Sequence, residues 1–147
     1  GRLAQALGRI ATFPLIGVSM SGPARAGLFI YAKDLPRLAD FYESLLGMSR
    51  VHGTAELVIL RSPDIQLTLH AIPAAIAASI SISSPPELRD NAALKFFFTV
   101  RSIPEAAEKA AALGGFVQPE QWHGPGFRAC NAVDPEGNIF QVRDNAA

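Results

Sequence analysis

Cysteine is nearly absent from this sequence: Cys130 stands alone among 147 residues. One thiol excludes an internal disulfide framework and any zinc site built from clustered cysteines. Histidine is scarce as well, with only His52, His70 and His123 to offer imidazole ligands. Neither charge is in excess, because thirteen Lys and Arg balance thirteen Asp and Glu. The broad positive field that draws a protein to nucleic acid or to an anionic membrane is therefore missing, and a charged ligand has to be met by local groups. The uncharged run from Ile10 to Met20 is broken by Pro14 and Gly17 and falls short of the roughly twenty apolar residues that span a bilayer. No Ser/His/Asp order and no phosphate-cradling glycine loop is found.

What is there is apolar: 49% of the residues are hydrophobic and 18% charged, enough for one packed domain with a real core. Residues 1–26 carry Arg2, Arg9 and Arg25 without an acid. Arg9, the run behind it and the Ala24-Arg25-Ala26 triplet read either as the remnant of a secretory signal or as an N-terminal extension. Leu3, Leu7 and Ile10, at helical spacing, favour an extension over residues 1–25 and a cytoplasmic protein; the signal remnant is the alternative and would mean export.

From Ala26 onward the pattern is regular. Residues 26–32 read as a strand. Asp34 then caps a helix whose Leu35, Leu38, Tyr42 and Leu45 share one face, and Gly47 ends it. Three strand-like runs follow at 48–52, 56–61 and 64–71, separated by Gly53 and Ser62-Pro63. A connector over 73–93 holds a possible extended piece at 78–83 and is broken by Ser84-Pro85-Pro86. The order then returns, with a strand at 94–101, a capping box from Ser102 and Glu105, a helix stopped by Gly114-Gly115, and strands at 116–121, 127–133 and 138–143. Asp134-Pro135-Glu136-Gly137 makes the last turn. Leu35 and Ile103, Pro36 and Pro104, Ala39 and Ala107, and Gly47 and Gly115 all lie 68 positions apart. The domain at 26–143 is thus α+β and consists of two βαβββ modules, 26–72 and 94–143, forming a curved mixed sheet around a central cavity.

Strand alternation sorts the side chains. Leu94, Phe96, Phe98 and Val100 point to the helix, as do Ile65, Leu67 and Leu69. That leaves Phe29, Tyr31, Gln66, Thr68, His70, Lys95, Phe97, Gln141 and Arg143 facing the hollow as candidate ligand-binding residues. An aromatic hollow with a few polar groups suits a small organic ligand. Lys95 is either a partly desolvated anion-binding group or a snorkelling lysine with its head at the rim. His52 and His123, beside glycines near turns, read as surface residues, and Cys130 as core. Trp122 either lids the hollow or packs at a subunit contact.

Two stretches, FIYAKDLPRLADFYESLLGM at 29–48 and DPEGNIFQV at 134–142, resemble the vicinal oxygen chelate superfamily, the glyoxalase, bleomycin-resistance and extradiol dioxygenase fold. The resemblance implies a homodimer and, in enzyme members, a divalent metal held by His, Glu or Gln from the first, fourth, fifth and eighth strands. Those positions fall here on Gly27, Gln66, Lys95 and Gln141, a set unsuited to such a metal. The expectation is a protein without metal or other cofactor that binds a small, possibly anionic molecule as a homodimer, with no nucleic-acid or membrane partner. The alternative is a lyase, isomerase or oxygenase with a non-standard site, whose catalytic residues the sequence leaves unknown. In the absence of metal, Gln66 and Gln141 are expected to hydrogen-bond each other or water.

Overall fold

The architecture was obtained as a computed structural model that describes residues 22–145. The expectations for residues 1–21 lie outside the described residues. Strand β1 spans Gly27–Ala32, helix α1 Leu35–Leu46, and strands β2 to β4 Ser49–Gly53, Leu57–Arg61 and Gln66–Ala71. A short helix α2, Ala74–Ala77, follows. The second module has β5 at Phe97–Thr99, α3 at Ile103–Ala112, and β6 to β8 at Phe116–Gly124, Phe127–Val133 and Ile139–Asn145. The strand orders β1-β4-β3-β2 and β5-β8-β7-β6 are the same topology twice, each with its first strand parallel to its last. The expected repeat is present, and it forms two four-stranded mixed sheets rather than one closed surface.

Local signals account for the helices. The Asp34 side chain accepts from the Arg37 N–H at 3.2 Å, Pro36 occupies the first turn, and Gly47 adopts the left-handed conformation at φ 63° that ends α1. Ser102 Oγ likewise accepts from the Glu105 N–H at 3.2 Å. Only half of the expected capping box forms, because the Glu105 carboxylate pairs with Arg101 instead. Asp144 completes the cap: it accepts from the Ile103 N–H at 2.7 Å and from Arg128 Nε at 2.7 Å.

The core lies between the helices and the inner sheet faces. Leu38, Phe41 and Tyr42 of α1 are fully buried with Leu60, Leu67 and Leu69 of the first sheet and Phe140 and Val142 of the second. Burying a side chain of this size contributes about 1.5–3 kcal/mol. Phe140 stacks on Phe96 at 5.3 Å and meets Phe41 edge-on at 6.2 Å, so α1 packs across the module boundary. Cys130 is buried here, as expected, and burial pushes its thiol up, away from the reactive thiolate.

Two expectations fail. Strand β5 is three residues long, and Leu94 is 87% exposed instead of covered by a helix, because the ladder with β8 begins only where Phe96 O accepts from the Gln141 N–H. Residues 78–83 form no strand: Ser79 and Ile80 continue α2 with turn-like hydrogen bonds back to Ile76 and Ala77. The Asp134 turn forms as expected, with the Gly137 N–H donating to the Asp134 carbonyl, and it does more than reverse the chain. Asp134 is fully buried and accepts from Tyr42 Oη, Asn138 Nδ2 and two backbone N–H groups. Glu136, 3% exposed, accepts from the Lys33 and Asp34 N–H groups at 2.9 and 2.8 Å. Among the described residues, no helix is long and apolar enough to cross a membrane.

Candidate functional site

Pairing of β1 with β4 sets Gly27 beside Gln66, Phe29 beside Thr68 and Tyr31 beside His70 on one sheet face. Phe29 and Tyr31 are each 59% exposed, with ring centroids 5.9 Å apart, and Tyr31 lies 6.0 Å from the His70 ring. The amide of Gln66 donates to Thr68 Oγ1 at 2.9 Å. His70 Nδ1 lies 2.8 Å from the Ala71 carbonyl, which can only accept, so Nδ1 donates there and Nε2 is the ring nitrogen left for another partner. His70 borders a cavity of about 650 Å³ whose other polar side chains are Lys33 and Glu56. The Lys33 ammonium is already held by the Ala77 and Ile80 carbonyls at the end of α2.

The second face is built on β5 and β8, where Phe97 pairs with Gln141 and Thr99 with Arg143. The Arg143 guanidinium carbon lies 3.6 Å from the Phe97 ring centroid and 4.4 Å from that of Phe127. Its Nε donates to Gln141 Oε1 at 2.7 Å. Gly124 makes room for this arrangement: a Cβ there would collide with the Phe127 ring. Among the described residues no carboxylate pairs with Arg143, whereas Arg101 and Arg128 each have one and Arg50 has two.

Lys95 departs from the desolvated setting. It precedes β5, is exposed, and donates to Asn131 Oδ1 at 3.1 Å, which matches the snorkelling alternative. Gln66 and Gln141 do not bond each other, since their partners are Thr68 and Arg143. The structure therefore gathers Phe29, Tyr31, Gln66, Thr68 and His70 on one face and Phe97, Gln141 and Arg143 on another. Among the described residues no hydrogen bond or ring contact joins the two groups. A cavity of about 400 Å³ lies between the residues that lead into β4, Asp64 and Ile65, and Phe97 and Thr99 of β5. His52 and His123 are exposed, as expected of surface residues.

Sequence reasoning missed Phe127 as the second ring on Arg143, although its parity with Ala129 and Asn131 along β7 was available. It also missed the Tyr42–Asp134 pair, for which no spacing gave a signal. Burial pushes the Tyr42 hydroxyl well above the usual phenol range, and Asp134 adds to the effect. Burial also raises the Asp134 carboxyl, against the pull of its hydrogen bonds from Tyr42 and Asn138.

The set Gly27, Gln66, Lys95 and Gln141 does not fit a divalent cation. Gly27 has no side-chain donor, Lys95 brings a positive charge, and Gln141 Oε1 is occupied by a guanidinium. No group of three His, Cys, Asp or Glu that could hold a metal occurs among the described residues.

The family model described as a glyoxalase-like domain matches residues 27–143. A glyoxalase/bleomycin resistance protein/dioxygenase family enzyme from Burkholderia phytofirmans superposes with a TM-score of 0.62 at 16% identity, over 84% of this chain and 100% of that one. The genomically encoded fosfomycin resistance protein of Listeria monocytogenes gives 0.56 at 15% identity, over 87% and 96%. Lactoylglutathione lyase from Agrobacterium tumefaciens gives 0.51 at 22% identity, over 84% and 94%. At these identities the structural likeness shows the fold. No curated protein matches the sequence.

Proposed function

The chain belongs to the glyoxalase-like family of the vicinal oxygen chelate superfamily, and within it we propose a protein that binds a small organic anion without the metal of its enzymatic relatives. The observation that carries this reading is Arg143, a half-buried guanidinium fixed between two rings with no counter-ion among the described residues. A cation immobilised in this way gains a charge-assisted hydrogen bond from a carboxylate or phosphate without a large loss of its own freedom. The misfit of the metal positions supports the same reading.

A homodimer belongs to the proposal. Phe29, Tyr31 and Phe97 are more than half exposed, and such apolar faces are costly to leave in water. Pairing the first-module face of one subunit with the second-module face of its partner covers them and encloses the ligand.

A second reading, a lyase, isomerase or oxygenase with a non-standard site, is favoured by one observation: the free Nε2 of His70 beside Tyr31 and a cavity, a suitable position for a general base.

The test is a thermal-shift and calorimetric screen of carboxylates and phosphates. Arg143→Gln is expected to weaken any hit by about tenfold to a hundredfold, and Lys95→Met by less than about threefold. Unchanged affinity in Arg143→Gln overturns the anion reading. Turnover that disappears in His70→Ala favours the enzyme instead.

A further inference from the structure

Trp122 is the sole tryptophan of the chain and 41% exposed, and among the described residues its ring makes no aromatic contact. The register across the second sheet gives it a position. Trp122 on β6 pairs with Ala129 on β7, Ala129 with Arg143 on β8, and Arg143 with Thr99 on β5. Directly paired residues project from the same face of a sheet, so one row reads indole, methyl, guanidinium, hydroxyl. With adjacent strands about 4.8 Å apart, Trp122 and Arg143 stand about 10 Å apart at their Cα atoms, with the small, buried Ala129 between them in the row.

The donors left on Arg143 are directional. Phe97 and Phe127 lie against the guanidinium and Gln141 takes Nε, so the donors left to a ligand are the Nη N–H groups, which lie in the guanidinium plane. An in-plane pair of N–H groups matches a carboxylate bidentately and fits less well the tetrahedral oxygens of a phosphate. A ligand whose carboxylate meets those donors extends along the row, above the side chains that cover Ala129, toward the indole, where a flat ring gains a stacking contact that a saturated ring does not.

We propose that the row Trp122–Ala129–Arg143 recognises a planar aromatic monocarboxylate, with the acid on Arg143 and the ring on Trp122. This inference rests on the anion reading above and narrows it to one ligand class. It also gives Trp122 a role in the ligand site rather than in subunit packing.

The single tryptophan makes the test direct. Benzoate, cyclohexanecarboxylate and benzamide are titrated into the full-length protein at constant ionic strength while the indole emission is followed. The first two probes differ in planarity and the third lacks the charge. Benzoate is expected to change the emission saturably, with a Kd of roughly 1 mM for so small a ligand, and the other two to bind at least about fivefold more weakly. Trp122→Leu, measured by calorimetry, is expected to lose about fivefold for benzoate and nothing for cyclohexanecarboxylate. Equal affinity for benzoate and cyclohexanecarboxylate overturns the aromatic inference and leaves the anion reading standing. Equal affinity for benzamide, or unaltered benzoate binding in Arg143→Gln, overturns both. No saturable response to any probe overturns this inference, while the anion reading is then decided by the wider screen.

Discussion

Tyr42 Oη donates to Asp134 Oδ2 at 2.6 Å, a contact that joins the first helix to the last turn across 92 positions of sequence. Both groups are fully buried, so the Tyr42 hydroxyl depends on Asp134 for its hydrogen bond, while Asp134 shares Oδ2 between Tyr42 and Asn138 Nδ2.

Tyr42→Phe is therefore expected to destabilise the fold by about 2 kcal/mol in urea denaturation at neutral pH, since it leaves a buried carboxyl short of a donor. The pH dependence has a definite sign. The folded state holds the Tyr42 proton more tightly than the unfolded chain does, so stability falls as pH rises beyond about 10. In Tyr42→Phe that contribution to the alkaline slope should vanish. A parallel alkaline limb in both proteins would show that Tyr42 does not carry it.

Asp144 has the opposite sign. Its hydrogen bond from Arg128, with help from the Ile103 N–H, holds the carboxyl below the usual range. The stabilisation is present above an unfolded value of about 3.9 and is lost as pH falls through the lower folded value. Asp144→Asn should lower stability at neutral pH and flatten the acid limb between about pH 5 and pH 2, as read from denaturation midpoints. An acid limb as steep as in the unaltered protein would assign it to other carboxylates.

Phe140→Ala should cost about 3–5 kcal/mol, because three aromatic rings converge on that side chain. Leu94→Ala should stay within about 0.5 kcal/mol, since Leu94 is 87% exposed. A large loss at Leu94 in dilute solution would mean that a partner surface covers it.

Elemental analysis of the purified protein should find no stoichiometric zinc, nickel, manganese or iron, in line with the donors at Gln66, Lys95 and Gln141. An equimolar metal that is lost on Gln66→Ala would reverse the proposal.

Light scattering is expected to give a particle of twice the 15.6 kDa of one chain. Substituting Tyr31 with a charged residue should shift it toward the monomer, because that ring is 59% exposed on the face assigned to the interface. A single-chain mass for the unaltered protein at working concentration would count against the dimer.

The fold was legible because its signals are local and occur twice. Asp34, Gly47 and Ser102 state where the helices start and stop, and alternation in β4 separates the buried Leu67 and Leu69 from Gln66 and His70. The site was legible only where a strand is long enough for alternation to hold. Lys95 was given a direction by a strand that begins two residues after it. Alternation put Arg143 on the face of Gln141, which its hydrogen bond to that residue matches, but its contact with Phe127 depends on the register between β7 and β8, which no single strand encodes. Asp134 and Glu136 looked like turn residues because their partners, Tyr42 and the Lys33 and Asp34 N–H groups, lie about a hundred residues away.

Glu136 places its carboxylate at the start of α1, whose own first turn holds no acid, whereas α3 has Glu105, Ser102 and Asp144 from its own half. The two halves are thus no longer equivalent copies: the residues that lead into one helix are held by a carboxylate from the other half, which needs none in return. A fragment ending before the connector would leave the Lys33 and Asp34 N–H groups without their acceptor, and the complementary fragment would bury Asp134 without Tyr42. The half-sized ancestor that the repeat implies cannot be recovered by cutting this chain; the pieces have become complementary fragments, each incomplete at the point where the other would dock.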